Sequence, residues 1–319
     1  MYIAAHPHSK AAATGAAPFR HLWLELTRKC NLQCIHCYAN SGPDLPMTDG
    51  MTTHDWASLL HSSRAEGCSS VQFIGGEPLI YPDLPLLLQE ASSLNFEEIE
   101  VFTNGTRITP EWAALFAKLN VKVALSFYSP IRERHEQITT VPGSFGRTVR
   151  GIDLAVEAGL QTRVGIIQIS QTDDEVEEAR SFLTSRGVSE IRVDRVRGIG
   201  RADQTISFSM PEQQLGELCG ACSDGRLCVT STGDSVPGIM ARAWQLGDAR
   251  GGIDKILYGE HLADFRAKQR SHANAIAASC SPDNCGPYCN PNCSPFESCN
   301  PKANCGPNCS PPCGPLCMP

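Results

Sequence analysis

The sequence predicts an α/β protein whose parallel sheet curls into a barrel. Apolar, strand-like runs alternate with amphipathic stretches between residues 21 and 196. Six strand–helix units in succession favour a parallel sheet, since parallel neighbours are joined by crossovers that a helix supplies. Two motifs, one of cysteines and one of glycines, come directly after predicted strands. Active sites of parallel barrels lie at these strand ends.

The predicted strands are short runs rich in β-branched and aromatic residues. They cover 21–26, 71–74, 99–102, 121–127, 162–169 and 191–196. Apolar residues at helical spacing predict helices between them, at 53–66, 83–94, 110–119, 144–158 and 173–185. The alternation ends near residue 210. We therefore divide the chain into an N-terminal extension (1–20), a barrel (21–209), a linker region (210–279) and a tail rich in Cys and Pro (280–319).

Three cysteines, Cys30, Cys34 and Cys37, follow the first predicted strand within eight residues. Three thiolates from one loop can hold three irons of a 4Fe-4S cluster and leave the fourth iron open. A zinc site and a disulfide are the alternatives. Zinc knuckles usually pair a C-x2-C with a second, distant pair of ligands, and a disulfide would leave one of the three thiols over. The spacing favours the iron–sulfur cluster.

A glycine pair and a carboxylate, Gly75, Gly76 and Glu77, follow the second predicted strand, with Pro78 after them. Paired glycines let a backbone approach a ligand closely. The Glu77 carboxylate can accept a hydrogen bond from an ammonium group, and Pro78 makes the exit from the strand rigid. Taken alone, the same residues also form an ordinary loop.

Together, C-x3-C-x2-C and Gly-Gly-Glu resemble the signature of the radical SAM superfamily. The resemblance implies a partial (β/α)6 barrel and a 4Fe-4S cluster on Cys30, Cys34 and Cys37. The open iron of such a cluster is coordinated by the amino and carboxylate groups of S-adenosylmethionine (SAM). Reductive cleavage of SAM then gives a 5′-deoxyadenosyl radical that abstracts hydrogen from a substrate. An electron donor such as ferredoxin or flavodoxin is implied as a partner.

The resemblance also implies which residues contact SAM. Glu77, with Gly75 and Gly76, is expected at the methionine amino group. His36 and Tyr38 are aromatic, as the superfamily prefers on the loop beside the adenine. Residues at the positions of Asn104 and Ser126, past the third strand and near the end of the fourth, often touch the methionine carboxylate and the ribose. Asn-Gly at 104–105 is equally typical of a turn, and Ser126 could serve only to satisfy backbone groups.

The region after residue 210 resembles the SPASM extension of radical SAM enzymes, a small, loop-rich region that carries auxiliary iron–sulfur clusters. Its pattern is a cysteine, a spacer, then G-x4-C. Counting from Cys222, the glycine is Gly233 and the expected cysteine position holds Gly238, which cannot ligate iron. Cys219 and Cys228 are further candidate ligands, and Cys228 or a tail cysteine is expected to replace the missing thiolate.

The tail holds nine cysteines and ten prolines and very few large apolar residues, so burial cannot offset the entropy of ordering it. Cross-linking by metal is one solution, and the resemblance implies one or two auxiliary iron–sulfur clusters there. A zinc-binding, disulfide-linked or disordered tail is the alternative. The candidate ligands are Cys280, Cys285, Cys289, Cys293, Cys299, Cys305, Cys309, Cys313 and Cys317.

Composition excludes several classes of partner. The formal net charge of −7 argues against a nucleic acid, which needs a basic surface. No run approaches the roughly 20 apolar residues of a membrane helix, and the first residues lack the order of a signal peptide. Sixteen cysteines in a protein without a secretion signal read as metal ligands more readily than as disulfides. We therefore expect a cytoplasmic enzyme.

The resemblance favours modification of a ribosomally made peptide, by cross-linking or epimerisation. The alternatives are oxidation or carbon–carbon bond formation on a small metabolite and, in another class, a non-catalytic metal-binding protein. Only about twenty residues precede the first predicted strand, which leaves no room there for a winged-helix domain that binds a peptide leader. A separate leader-binding protein, or a substrate without a leader, is expected instead.

Overall fold

A computed structural model describes residues 18–204, 215, 216, 218 and 222–279 of the chain. The candidate ligand Cys219 and the nine candidate ligands of the tail lie outside these described residues.

Six parallel strands form the barrel wall. Each runs within one residue of its predicted limits. In β2, four of the five residues are buried, as is typical of a strand in a parallel sheet. Neighbours in sequence are neighbours in the sheet, from β1 to β6. The bounds are β1 His21–Glu25, β2 Ser70–Ile74, β3 Glu98–Thr103, β4 Lys122–Phe127, β5 Thr162–Gln168 and β6 Glu190–Arg195.

Helices connect the strands and cover the outer face of the sheet. The five predicted helices are confirmed, and two of them begin at a Thr that forms a capping box, Thr52 with Asp55 and Thr172 with Glu175. A further helix, α4, was not predicted because seven of its eight residues are polar or charged and give no apolar stripe. The bounds are α1 Thr53–Ala65, α2 Leu84–Ser93, α3 Pro110–Leu119, α4 Arg132–Thr139, α5 Ser144–Glu157 and α6 Asp173–Ser185.

Three short strands extend the sheet beyond β1. β7 (Arg226–Val229) pairs with β1 in parallel, and β8 (Asp234–Val236) and β9 (Gly247–Asp248) continue antiparallel. These strands are not predictable from the sequence, because two to four residues are too few to show an alternating pattern. The described strands follow one another in a single row from β6 to β9, so the barrel is partial and open. Helices α7 (Ile253–Leu257) and α8 (Glu260–Ser279) complete the described chain.

The two faces of the sheet have different environments, because side chains alternate along a strand. Leu22 and Leu24 of β1 belong to the large core between sheet and helices. Trp23 and Glu25 lie on the other, inner face. A smaller apolar cluster on that face consists of buried Ile74, Cys228 and Val236 with half-buried Trp23, Phe102 and Ile239. We call this cluster the inner patch. None of the described helices is long and apolar enough to span a membrane.

Candidate functional site

The three cysteines of the first motif lie on one loop after β1. All three are free thiols; Cys30 is buried, and Cys34 and Cys37 are half-buried. The loop is held by backbone hydrogen bonds from Cys30 N to Gly42 O (3.0 Å) and from Cys37 N to Cys34 O (3.2 Å). Arg201, in the segment after β6, makes two hydrogen bonds to this loop: its backbone N donates to Cys37 O (3.0 Å), and its Nε donates to Cys34 O (2.7 Å). The loop is therefore fixed by contacts outside itself.

Each thiol has a hydrogen-bond donor from the surrounding protein. Leu32 N lies 3.4 Å from the sulfur of Cys30, and Ser41 N lies 3.4 Å from that of Cys37. The amide of Asn104 is 3.8 Å from the Cys30 sulfur. The Tyr128 hydroxyl donates to Cys34. Donors of this kind stabilise thiolates and are the usual surroundings of sulfur that ligates a metal.

Without metal, burial opposes ionisation of Cys30 and Cys34 and so raises the pKa of both thiols. Burial, followed by the Glu77 carboxylate, raises the pKa of Cys30 far above its ordinary value. Burial raises the pKa of Cys34 to about 12, against the hydrogen bond from Tyr128 and the charge of Arg201. Binding a metal must therefore displace protons from both.

The donor set fits an iron–sulfur cluster. Among the described residues, no three His, Cys, Asp or Glu side chains form a group that could hold a single metal ion. A cubane differs from such a site, because each thiolate binds a different iron and the sulfurs stay apart. Three free thiols on one braced loop, each with a donor, match that requirement.

The glycine pair joins the end of β2 to the cysteine loop. Gly76 N donates to Thr27 O (2.6 Å), and Glu77 N donates to Lys29 O (3.0 Å). A Cβ at Gly75 would lie 2.7 Å from Thr27 O, and a Cβ at Gly76 would collide with the carbonyl of Lys29. Glycine is thus required so that the two backbones can approach.

The Glu77 carboxylate is fully buried and already has three donors. Oε1 accepts from the Thr103 hydroxyl (2.6 Å) and from Leu79 N (3.0 Å), and Oε2 accepts from Asn104 N (2.8 Å). Burial raises its pKa, which these hydrogen bonds counteract. A carboxylate has about four acceptor positions, so one is left for an ammonium group. The observed role of Glu77 is to tie the ends of β2 and β3 together; its contact with SAM stays a prediction.

Asn104 links the end of β3 to the cysteine loop. Its Nδ2 donates to Asn31 Oδ1 (3.0 Å), and its Oδ1 accepts from Thr106 N (2.9 Å) and the Thr106 hydroxyl (2.6 Å). Asn31 Nδ2 closes the ring of contacts by donating to that hydroxyl (2.7 Å). Ser126 is hydrogen-bonded to the Tyr128 hydroxyl. The hydrogen bonds of both residues go to protein groups, and their contact with SAM stays a prediction.

His36 and Tyr38 flank Cys37 and have different neighbours. The His36 ring meets the Tyr128 ring edge-on, with centroids 5.0 Å apart. Burial, with the nearby charge of Arg201, lowers the pKa of His36 to about 4, so its imidazole is neutral. The Tyr38 ring lies beneath the guanidinium of Arg242, whose Cζ is 5.1 Å from the ring centroid. Their contact with adenine stays a prediction.

Cys222 and Cys228 are the two cysteines after the barrel that the structure describes, and they belong to different apolar clusters. A Cβ added at Gly238 would lie 3.2 Å from the sulfur of Cys222, so a cysteine there would stand beside it. Cys228 lies within β7, fully buried in the inner patch, whereas Cys222 belongs to the large core. The metal-ligand roles predicted for Cys222 and Cys228 remain predictions.

The family is decided by the barrel segment. The model of the radical SAM superfamily matches residues 24–183, half of the chain. The chain belongs to the radical SAM superfamily. Membership implies a 4Fe-4S cluster and SAM. The free thiols of Cys30, Cys34 and Cys37 fit such a cluster, and their role as its ligands stays a prediction.

Two curated relatives show the range of the superfamily. The chain is 29% identical over 182 residues to the sporulation killing factor maturation protein SkfB of Bacillus subtilis, covering 57% of this chain and 43% of SkfB. It is 30% identical over 151 residues to an AdoMet-dependent heme synthase of Oleidesulfovibrio alaskensis, covering 47% of this chain and 38% of the synthase. The chain thus spans less than half the length of these two relatives.

Solved structures agree with the radical SAM fold. Streptococcus suis SuiB bound to the precursor peptide SuiA superposes with a TM-score of 0.67 over 82% of this chain and 70% of SuiB, at 16% identity.

Four residues near the site were not among the predicted site residues. Tyr128 and Arg201 contact the cysteine loop, and Glu25 and Arg242 form an ion pair above the inner patch. Arg201 lies in a segment with several arginines and glycines, a composition that is common in solvated loops. The other three lack a local motif, and their partners come from distant parts of the chain.

Proposed function

We propose that this chain is an enzyme that modifies a ribosomally made peptide, by cross-linking two side chains or by epimerising a residue. The observation that carries the proposal is the similarity to SkfB, a maturation protein, over 182 residues. The peptide is the substrate, and the precursor peptide bound to the structurally similar SuiB is consistent with this choice.

The chemistry that the cluster and SAM supply when bound is a 5′-deoxyadenosyl radical able to take hydrogen from carbon. Cys30, Cys34 and Cys37 would hold the cluster, and Arg201 and Tyr128 keep the loop and one thiol in place. Glu77, Thr103 and Asn104 fix the ends of β2 and β3 beside it. The enzyme's own contribution is to position the substrate carbon and to exclude water and competing hydrogen donors.

A cross-link requires an electron acceptor in addition. Joining two side chains removes two hydrogen atoms; one goes to the deoxyadenosyl group, and the other leaves as a proton and an electron. We propose that one or two auxiliary iron–sulfur clusters accept that electron. Their candidate ligands are Cys219, Cys222, Cys228 and the tail cysteines. Iron and sulfide content of the full chain, compared with a variant ending at residue 279, tests this proposal: the shorter protein is expected to retain about four irons and the full chain more.

The electron donor and any leader-binding protein are proposals as well. A ferredoxin or flavodoxin would supply the first electron. A separate protein would present the leader of the peptide, if the substrate has one.

A small-molecule substrate is the second candidate. It is favoured by the 30% identity to the AdoMet-dependent heme synthase over 151 residues. An oxidation or carbon–carbon bond formation would then occur at the same strand ends.

The test is anaerobic incubation of the reduced, cluster-loaded protein with SAM. Formation of 5′-deoxyadenosine is expected, with its loss when Cys30, Cys34 and Cys37 are each changed to Ala. A Cys68→Ala variant is the matched control, because Cys68 is a buried free thiol remote from the loop. Candidate peptides are then analysed by mass spectrometry in D₂O. Loss of two hydrogens indicates a cross-link, and gain of one deuterium indicates epimerisation. No deoxyadenosine from the loaded protein would refute the proposal.

A further inference from the structure

Glu25 and Arg242 form an ion pair at the C-terminal end of β1. Glu25 is the last residue of β1, and Arg242 lies in the segment after β8. The Glu25 side chain is fully buried, and the Arg242 side chain is 23% exposed. The contact joins Arg242 Nη2 to Glu25 Oε2. Because the Tyr38 ring lies beneath the guanidinium, the pair also touches the cysteine loop. It therefore lies at the end of the barrel where radical SAM chemistry takes place.

Each member of the pair has one buried polar atom without a hydrogen-bond partner in the described part of the chain. These atoms are Oε1 of Glu25, an acceptor, and Nε of Arg242, a donor. Unsatisfied buried polar atoms are costly, and native structures retain few of them. An acceptor and a donor left together are complementary to a group that offers N–H and C=O on the same side. One residue of an extended peptide is such a group, because its own N–H and C=O point to the same side of the chain.

The inner patch lies next to the pair. Trp23 precedes Glu25 by two residues on the same face of β1, and Cys228 pairs with Trp23 in the sheet. Trp23, Phe102 and Ile239 are only half-buried, so part of their apolar surface stays available. A few polar groups beside an apolar surface are the usual composition of a ligand site. The patch suits an apolar side chain.

We infer that Glu25, Arg242 and the inner patch form a substrate subsite that binds the backbone N–H and C=O of one apolar residue in the peptide. The N–H of that residue donates to Glu25 Oε1, and its C=O accepts from Arg242 Nε–H. The apolar side chain packs on Trp23, Phe102 and Ile239. This inference rests on the proposed function and specifies which kind of residue the enzyme holds in the barrel.

The test measures binding of a small probe to the cluster-loaded enzyme with SAM, under anaerobic conditions. The probe is N-acetyl-leucine N-methylamide, and N-acetyl-glutamate N-methylamide is its charged counterpart. Affinities come from saturation-transfer NMR titrations. We expect the leucine probe to bind at least tenfold more tightly than the glutamate probe, which would bring a second carboxylate to an apolar surface next to Glu25.

The decisive variant is the double substitution Glu25→Leu/Arg242→Met. Replacing a buried ion pair by apolar residues of similar volume generally preserves stability, so a pair that only holds the fold together would leave probe binding unchanged. If the subsite exists, the double variant is expected to bind the leucine probe at least about tenfold more weakly than the wild type, at an unchanged melting temperature. A loss of that size corresponds to one charge-assisted hydrogen bond. The matched control is the double substitution Glu98→Leu/Lys122→Met. That ion pair (2.8 Å) lies at the opposite end of the barrel, where β3 and β4 begin. The control variant should bind the leucine probe with the same affinity as the wild type.

The outcomes separate this inference from the proposed function. Equal affinity of wild type and the Glu25→Leu/Arg242→Met variant, or equal affinity of the two probes, overturns the subsite. If the double variant does not fold, Trp23→Ala and Arg242→Lys replace it, and retention of leucine-probe binding in both overturns the subsite. Formation of 5′-deoxyadenosine from SAM without probe is measured in the same samples. Its absence in the wild type refutes the proposed function, whatever the probe does.

Discussion

The hydroxyl of Tyr128 donates a hydrogen bond to the thiol of Cys34 and is itself hydrogen-bonded to Ser126. Tyr128 follows the end of β4, and Cys34 lies on the loop after β1, so the contact crosses the mouth of the barrel. The neighbouring Arg201 adds a positive charge on the same side. Both stabilise negative charge at Cys34. When a cluster is bound there, they favour its reduced form, which is the more negative one.

Tyr128→Phe is therefore expected to lower the reduction potential of the cluster. The shift should be roughly 20–40 mV, corresponding to about 0.5–1 kcal/mol for a one-electron couple. A redox titration followed by electron paramagnetic resonance measures it. Tyr81→Phe is the matched control, because the Tyr81 hydroxyl contacts Thr53 (3.2 Å) and no cysteine. An unchanged potential in Tyr128→Phe with full iron content would show that the hydrogen bond does not influence the cluster.

Contiguous motifs made the cysteine loop and the Gly-Gly-Glu turn predictable from sequence. Cys30, Cys34 and Cys37 share one loop, and the strands before each motif are apolar enough to be recognised. The contacts that complete the site are different in kind. Arg201 reaches Cys34 across 167 positions of sequence, and Arg242 reaches Glu25 across 217. Such pairs depend on the order in which strands assemble, which local patterns do not encode.

Glu77 illustrates a site residue whose type was predictable and whose partners were not. The motif indicated a carboxylate near a ligand, but its three internal donors come from β3 and the turn after β2. Those donors exist only because β2 and β3 are adjacent and end at the same level. The structure thus assigns Glu77 a role in holding strand ends that the motif alone does not reveal.

Glu77→Gln is expected to destabilise the protein even without cofactor, by about 1–3 kcal/mol. Both carboxylate oxygens accept hydrogen bonds, so whichever way the new amide turns, its NH₂ faces a donor. Urea unfolding of the apoprotein, followed by circular dichroism, measures the loss. Glu66→Gln is the control: Glu66 accepts one surface hydrogen bond, from Tyr258 (2.8 Å), and its change should cost less than about 0.5 kcal/mol. Equal stability of Glu77→Gln and wild type would contradict the structural role.

Gly76→Ala is expected to displace the cysteine loop. The added methyl group would collide with the carbonyl of Lys29 and approach that of Arg28 to 2.8 Å, and backbone atoms cannot move aside as a flexible side chain can. We expect less iron after reconstitution and a lower melting temperature. The control is Gly146→Ala in α5, where no atom lies within 4 Å of the added Cβ; this change should be neutral or stabilising. Full iron content in Gly76→Ala would mean that the two backbones are less tightly joined than described.

His135 makes the fold sensitive to acid. Its side chain is fully buried among Phe127, Tyr128 and Phe145, and neither ring nitrogen has a hydrogen-bond partner in the described part of the chain. Burial lowers its pKa to about 4, and the charge of Glu136 opposes this only in part. In the unfolded chain the histidine has its ordinary pKa of about 6.5. Between pH 6.5 and pH 4, the unfolded chain therefore binds a proton at His135 that the folded protein does not bind. The contribution of neutral His135 to the free energy of unfolding is therefore fully present above about pH 6.5 and is lost as the pH falls toward 4.

His135→Phe should remove this contribution and flatten the dependence of stability on pH. A single such histidine contributes at most about 1.4 kcal/mol of unfolding free energy for each pH unit in this window. Urea unfolding of the apoprotein at pH 7.5 and pH 5 gives the slope for wild type and variant. His54→Phe applies the same change at an exposed position of α1 and should leave the wild-type slope unchanged. His21 and His36, whose pKa values burial also lowers to about 4, keep part of the slope in every variant. A slope in His135→Phe equal to that of the wild type would mean that His135 is protonated in the folded protein.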